Sequence, residues 1–258
     1  MSTFSKDKLV IRIFPTRSEM GKEAAREAAA IIRDFLSYKD EVNIIFAAAP
    51  SQDDFLSAML KENPVWRLVN AFHMDEYIGL DADAPQGFGN YLKHRFFDKV
   101  TMKQVFYLGN VQEADTPEKV ISRYTELLKQ YPPDMVFLGI GENGHIAFND
   151  PHVANFEDPD LVKIVDLDLA CRQQQVNDDC FESLDQVPTH AYTLTIPALT
   201  MARYMFCIVP GARKAQAVYN TLKGEISESC PASILRAQYN ATLYLDSDSA
   251  EKLRVESY

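Results

Sequence analysis

Two periods of hydrophobic and polar residues alternate along the chain. Short, nearly continuous apolar runs predict buried strands at Leu9 to Phe14, Val42 to Ala47, Trp66 to Phe72 and Gln104 to Leu108. Further runs at Met135 to Leu138, Val162 to Val165, Tyr192 to Ile196, Met205 to Val209 and Thr242 to Leu245 read the same way. Between them the apolar positions move to helical spacing. Met20, Ala24, Ala28, Ile31, Ile32, Phe35 and Leu36 fall on one face, and Val120, Ile121, Tyr124, Leu127 and Leu128 on another. Thr16 with Glu19 forms a capping-box pattern ahead of the first of these helices. Thr116-Pro117 opens the second, with proline where no N–H is missed. Ser51 and Asp54 look like the cap of a helix running to about Lys61. Helices also follow around Tyr91, Leu92, Arg95 and Phe96 and over Lys214 to Leu222, with a terminal helical turn at Ser249 to Leu253.

Strands that alternate with helices indicate βαβ units, hence an α/β fold with a mostly parallel central sheet covered on both faces. No internal repeat, low-complexity tract or linker divides residues 1–258, which read as a single domain. The stretch Asp150 to Thr189 is polar and loop-rich and predicts a lid or small excursion.

Composition narrows the partners. A net charge of −11 and a pI near 4.9 argue against nucleic acid or an anionic membrane. They leave room for a small phosphorylated ligand, which needs only one local cationic pocket. Cys171, Cys180, Cys207 and Cys230 form no C-x-x-C pair and read as reduced thiols. No apolar run approaches the roughly 18 residues of a membrane span, and Met1 to Lys8 lacks a signal-peptide core. A soluble cytoplasmic protein is expected, with room for a homo-oligomer.

Ligands in open α/β sheets bind beyond the carboxyl ends of the strands. Three such ends carry polar clusters: Ala47 to Gln52, His73 to Glu76, and Gly141 to Asp150. Asp75 ends an apolar strand, where it is either a solvated strand end or a general base whose pKa burial would raise. His145 is the sharpest candidate. Gly141 and Gly144 flank it, exposing backbone N–H groups and permitting close ligand approach, and Asp150 is near enough to fold back on one ring nitrogen. Ser51 and Gln52 are an ordinary helix cap or a donor set for an anion. Lys214 follows a strand and opens a helix, as an exposed lysine or a phosphate grip. His145, Asp150, His152 and Asp75 match no established metal spacing, so no metal is expected. G-x-S-x-G is absent.

Several segments taken together resemble the glucosamine-6-phosphate deaminase (isomerase) family. They are Phe72-His73-Met74-Asp75-Glu76-Tyr77-Ile78-Gly79-Leu80, Gly139 to Pro151, Gln186-Val187-Pro188, Pro210 to Ala215, and Cys230-Pro231-Ala232-Ser233. The likeness runs in order from about Ile44 to Asp246. It implies a Rossmann-like three-layer α/β/α sandwich and conversion of glucosamine 6-phosphate and water to fructose 6-phosphate and ammonia, with no cofactor. It implies that Asp75 moves a proton between C2 and C1, His145 assists ring opening, Asp150 supports His145, and Lys214 holds the sugar phosphate. The wider superfamily includes 6-phosphogluconolactonases, so lactone hydrolysis is the runner-up, and a non-catalytic sugar-phosphate sensor is a third reading.

The chain departs from the family in four places. Asn143 stands where the best-known members carry aspartate, which should make His145 less basic. Asp150 is one methylene shorter than the usual glutamate. Ala48-Ala49-Pro50-Ser51-Gln52 replaces a T-G-[GS]-T-P phosphate loop. The second, arginine phosphate clamp has Arg172, with Gln174 and Gln175, as its nearest substitutes.

Overall fold

The first eight residues lack an apolar core, yet they supply a strand: β1 (Ser2–Lys6) pairs antiparallel with β2 (Leu9–Ile13). Every β1 residue is exposed, so no hydrophobic alternation marks this strand in the sequence. The computed structural model describes residues 1–109 and 116–253. Within them, β2 adds to β3 (Val42–Phe46), β4 (Val69–His73), β6 (Gln104–Phe106), β7 (Met135–Leu138), β10 (Tyr204–Val209) and β11 (Ala241–Leu245). The resulting eight-stranded sheet has the order β1-β2-β11-β10-β7-β3-β4-β6, and all its pairings but β1–β2 are parallel.

Strand alternation sends neighbouring residues to opposite layers. Ile44, Phe46 and Phe137 pack with α1 (Arg17–Leu36) and α2 (Asp53–Glu62), while Ile45, Val136 and Leu138 pack with α4 (Pro117–Gln130) and α7 (Ala215–Lys223). The expected caps form: Thr16 Oγ1 accepts from Glu19 N–H at 3.2 Å, and Thr116 caps α4. A Cβ at Gly21 would lie 2.9 Å from the α2 backbone, so glycine lets α1 and α2 approach closely. Among the described residues, no helix is long and apolar enough to cross a membrane.

Two expected strands change. Trp66–Leu68 is a 3₁₀ turn, and the strand begins at Val69. Asn63 and Val65 both take left-handed backbone, so the chain is still turning there, and Trp66 packs edge-on against Phe96 at 5.0 Å. The run starting at Tyr192 belongs to β9 (His190–Leu194), which ends before Thr195 caps α6 (Ile196–Thr200). It lies in a separate three-stranded antiparallel sheet with β5 (Asp75–Tyr77) and β8 (Val162–Asp166). The polar stretch 150–189 thus supplies β8 and a helix, α5 (Leu169–Asn177).

Candidate active site

Strand β7 lies between β3 and β10. After β3 the chain continues to β4 and β6, towards one edge; after β7 it continues to β10 and β11, towards the other. The connections at the carboxyl ends of β3 and β7 therefore diverge and leave a crevice, the usual ligand position in open α/β sheets. One cleft is lined there by Ser51 and Gln52 after β3, Asp75 after β4, Gly139 to Gly141 and His145 after β7, and Lys214 after β10. The sequence-predicted clusters converge on it.

Asp75 is held through its backbone. His73 Nε2 accepts from the Leu108 N–H at 2.8 Å, so its proton sits on Nδ1 and is donated to the Asp75 carbonyl at 2.9 Å. Burial lowers the His73 pKa to about 4, which keeps this ring neutral and its tautomer fixed. Beyond it, β5 runs antiparallel to β9, with Asp75 opposite Thr193. The neighbouring Glu76 carboxylate accepts from the N–H groups of Tyr77, Phe88 and Gly89 at 2.9–3.0 Å and so fastens the start of α3 (Phe88–Arg95). Burial pushes Glu76 up to about 7. Asp75 is only 7% exposed, and burial, with the adjacent Glu76 charge, raises its carboxyl well above the usual range. Burial of this kind makes the carboxylate form a stronger base, as abstraction of a proton from carbon requires.

His145 is set by contacts that only glycine permits. The Gly141 N–H donates to the His145 carbonyl at 2.9 Å, and the Gly144 N–H to the Gly141 carbonyl at 3.0 Å. A Cβ at Gly141 would stand 2.1–2.3 Å from three His145 ring atoms, so the imidazole lies directly on this backbone. The following residues are fastened to β9: Phe148 N–H donates to Thr193 Oγ1 at 3.0 Å, and the Asn149 amide to the Leu194 carbonyl at 2.9 Å. Strand β9 thus carries both Asp75 and the His145 loop. His145 Nδ1 lies 3.0 Å from Asp150 Oδ1 and 2.8 Å from Asn143 Oδ1. The shorter aspartate therefore reaches the ring. Asp150 is fully buried, which by itself would raise its pKa, but the His145 bond and charge and the Asn143 amide outweigh this and hold it below the ordinary value. Among the described residues no protein group bonds His145 Nε2, which is left for a ligand.

Lys214 closes the other end of the cleft. The Gly211 N–H donates to both Asp246 oxygens at 3.0 and 3.1 Å, and Gly211 takes φ +91°, fixing the turn that leads to the lysine. Asp246 was not singled out in the sequence; its position directly after the last strand is the signal that could have found it. Lys214 is 7% exposed and burial lowers its pKa. Among the described residues it has no ion-pair partner, and a buried, unpaired ammonium is stabilised by a bound anion. Gln52 Nε2 donates to the Ile208 carbonyl at 3.0 Å and ties the 50–52 turn to β10, while its buried Oε1 has no partner. Ser51 and Gln52 do not cap α2 with their side chains; a 3₁₀ turn, Pro50–Gln52, precedes it.

Two predicted ligand-binding residues point elsewhere. The Arg172 guanidinium donates to the carbonyls of Leu184 and Val187 at 2.6–3.2 Å and holds that segment against α5. Its neighbours on α5, Gln174 and Gln175, line the cleft instead. The Gly144 N–H is used inside its own loop, and its φ of +89° and a Cβ position 2.9 Å from Cys230 Sγ show a turn packed on Cys230. Asn143 and Asp150 sit behind His145 and do not line the cleft. His145, Asp150 and Cys171 bring donor atoms within 4.8 Å of one another, as do Asp150, His152 and Asp168. Both sets share Asp150, whose Oδ1 is already engaged by His145 and Asn143.

The family model for glucosamine-6-phosphate isomerases/6-phosphogluconolactonase matches residues 15–244. The chain belongs to this family. It is 35% identical over 214 residues to a glucosamine-6-phosphate deaminase of Listeria monocytogenes serotype 4a (strain HCC23), covering 83% of this chain and 88% of that one. A deaminase of Bacillus cereus (strain B4264) is 32% identical over 228 residues, 88% of this chain and 84% of that one. Among solved structures, a monomeric glucosamine-6-phosphate deaminase superposes with a TM-score of 0.84 at 29% identity, covering 93% of this chain and 98% of that one. A 6-phosphogluconolactonase from Shewanella baltica OS155 superposes at 0.75 with 16% identity over 94% and 99% of the two chains, a likeness of fold.

Proposed function

We propose that this family member converts glucosamine 6-phosphate and water to fructose 6-phosphate and ammonia. The observation that carries the reading is the meeting of a raised-pKa carboxyl, Asp75, with an imidazole whose Nε2 is unbonded, His145, in a cleft whose opposite side holds the buried Lys214. The 32–35% identity to deaminases over most of the chain supports the same substrate class.

In this reading the residues take the following roles. Lys214, with Ser51 and the Gln175 amide, holds the phosphate and sets the distance from it to the reacting carbons. His145, its Nδ1 proton directed at Asp150 and Asn143, exchanges a proton with the ring oxygen through Nε2 and opens the ring. Asp75 takes the C2 proton of the open aldehyde and returns it at C1. The 2-amino group then becomes an imine, which water hydrolyses to the ketose and ammonia. Each step is a proton transfer or a hydrolysis.

Incubation with glucosamine 6-phosphate, with ammonia and fructose 6-phosphate measured separately, tests the proposal. Both products should appear in equal amounts. Asp75→Asn should stop exchange of the C2 proton with solvent while substrate still raises the melting temperature. Opening of 6-phosphogluconolactone in place of ammonia release would make the protein a lactonase. Stabilisation by the sugar phosphate without any turnover would make it a sensor.

A further inference from the structure

The amide of Asn143 is oriented by obligatory donors. Its Oδ1 accepts from the His145 backbone N–H at 3.1 Å, and a backbone N–H is a donor at every pH. The atom facing His145 is therefore oxygen, and Nδ2 faces the other way. There it meets two carboxylates, Asp150 Oδ1 at 2.8 Å and Asp168 Oδ2 at 3.4 Å. Because Oδ1 also lies 2.8 Å from His145 Nδ1, the Nδ1 must carry a hydrogen. The two carboxylates hold the amide nitrogen, and the Asn143 oxygen together with Asp150 keeps the hydrogen on Nδ1.

Asp168 is itself fixed. Its Oδ1 accepts from the Cys171 N–H at 2.6 Å and caps α5. The same helix is tied to the catalytic loop a second time, through the Glu142 N–H donating to Gln174 Oε1 at 2.9 Å. Helix α5 is thereby stitched to the loop at Glu142 and at Asn143.

From this arrangement, and resting on the function proposed above, we infer that Asp168 is a positioning residue for His145. Acting through Asn143, it holds the imidazole with its proton on Nδ1 and Nε2 towards the substrate, and it contributes a second negative charge behind the ring where an amide occupies position 143. The other titratable groups near the ring and Asp168 are Asp150 and His152 after the loop, Cys171 on α5, and Asp75 and Lys214 across the cleft. Only Asp168 reaches His145 through the Asn143 amide from outside the loop.

The test uses Asp168→Asn, which removes the charge and keeps a good N-cap, and Asp168→Ser as a second cap-preserving variant. Nitrogen-detected NMR of the imidazoles follows the titration and tautomer of His145, assigned by its loss in His145→Gln. Both Asp168 variants should increase the population of His145 protonated on Nε2. kcat should fall about 3- to 10-fold with KM for glucosamine 6-phosphate unchanged. In an Asn143→Ala background, Asp168→Asn should have no additional effect. An unmoved His145 tautomer population, or an effect of the same size without Asn143, overturns the inference. The NMR arm does not require turnover, so failure of the proposed reaction and failure of this inference give different results.

Discussion

Gly141→Ala isolates one contact. Gly141 does not take a positive φ, so alanine meets no backbone penalty there, and the effect is steric. The new methyl would stand 2.1–2.3 Å from the His145 ring, well inside contact distance, and the nearest atoms belong to a ring fixed on its far side by Asp150 and Asn143. The ring must rotate away. That breaks the Nδ1 bond to Asp150, a charge-assisted contact contributing on the order of 1.5–3 kcal/mol, and leaves a fully buried carboxylate short of a donor. For a chain of this size the melting temperature should fall by roughly 3–10 °C. Activity should fall much further, because displacing the proton-transfer group removes a factor of about 10²–10⁴. Circular dichroism melts and coupled ammonia assays on the same preparation give both numbers. A variant with kcat within threefold of wild type would show that the imidazole does not rest on Gly141 in the working enzyme, and the proton path assigned to Nε2 would have to be abandoned.

Lys214→Met removes a buried ammonium that has no ion-pair partner among the described residues, so the free protein should melt at the same or a higher temperature while KM for the sugar phosphate rises roughly 100-fold; a lower melting temperature with unchanged KM would contradict the anion-site assignment. Gln175→Arg puts a second cation in the cleft and should lower KM several-fold with kcat within about twofold, read from steady-state kinetics; unchanged KM would place the phosphate away from α5. Asn143→Asp replaces the amide donor to Asp150 and Asp168 by a third carboxylate, so stability at pH 8 should drop by about 2–4 kcal/mol and recover partly towards pH 5; urea titrations showing no pH-dependent difference from wild type would remove that amide bridge. His73 binds its proton only near pH 4 when folded and near 6.5 when unfolded. Its contribution is full above pH 6.5 and is lost as pH falls towards 4, on the order of 3 kcal/mol; a His73→Asn variant should lose that part of the acid dependence.

Legibility in the sequence followed burial. β7 was readable residue for residue because Met135–Leu138 is apolar throughout and bounded by Asp134 and Gly139. Buried parallel strands and amphipathic α1 and α4 announce themselves in the same way. Strand β1 does not, since its partner supplies backbone bonds but no core. Strand β5 is three residues long and its side chains are a carboxyl, a second carboxyl and a tyrosine, so the pairing with β9 that orients Asp75 has no periodic trace. At the site, Asp75, His145 and Lys214 were visible because polar residues at strand ends are few. Arg172 was misplaced because charge type alone does not show which turn of α5 faces the cleft; Arg172 lies on the side of Leu184 and Val187, while Gln174 and Gln175 face inward. Asp168 reads as a helix cap and nothing more until the fold brings it to Asn143 across 25 residues of chain.

Strand β9 holds Asp75 by register and the His145 loop by Thr193 and Leu194, without any contribution from the 47–52 turn or from Lys214. The protein is therefore built in two halves with separate duties. One is a frame in which a single strand fixes the spacing of Asp75 and the His145 loop. The other is the pair of turns at 47–52 and 211–214, which bring Ser51, Gln52 and Lys214 to the cleft and make none of those β9 contacts. Sequence change in those turns, such as the glycine-free Ala48 to Gln52, alters the lining of the cleft without touching the contacts that hold Asp75 and the His145 loop.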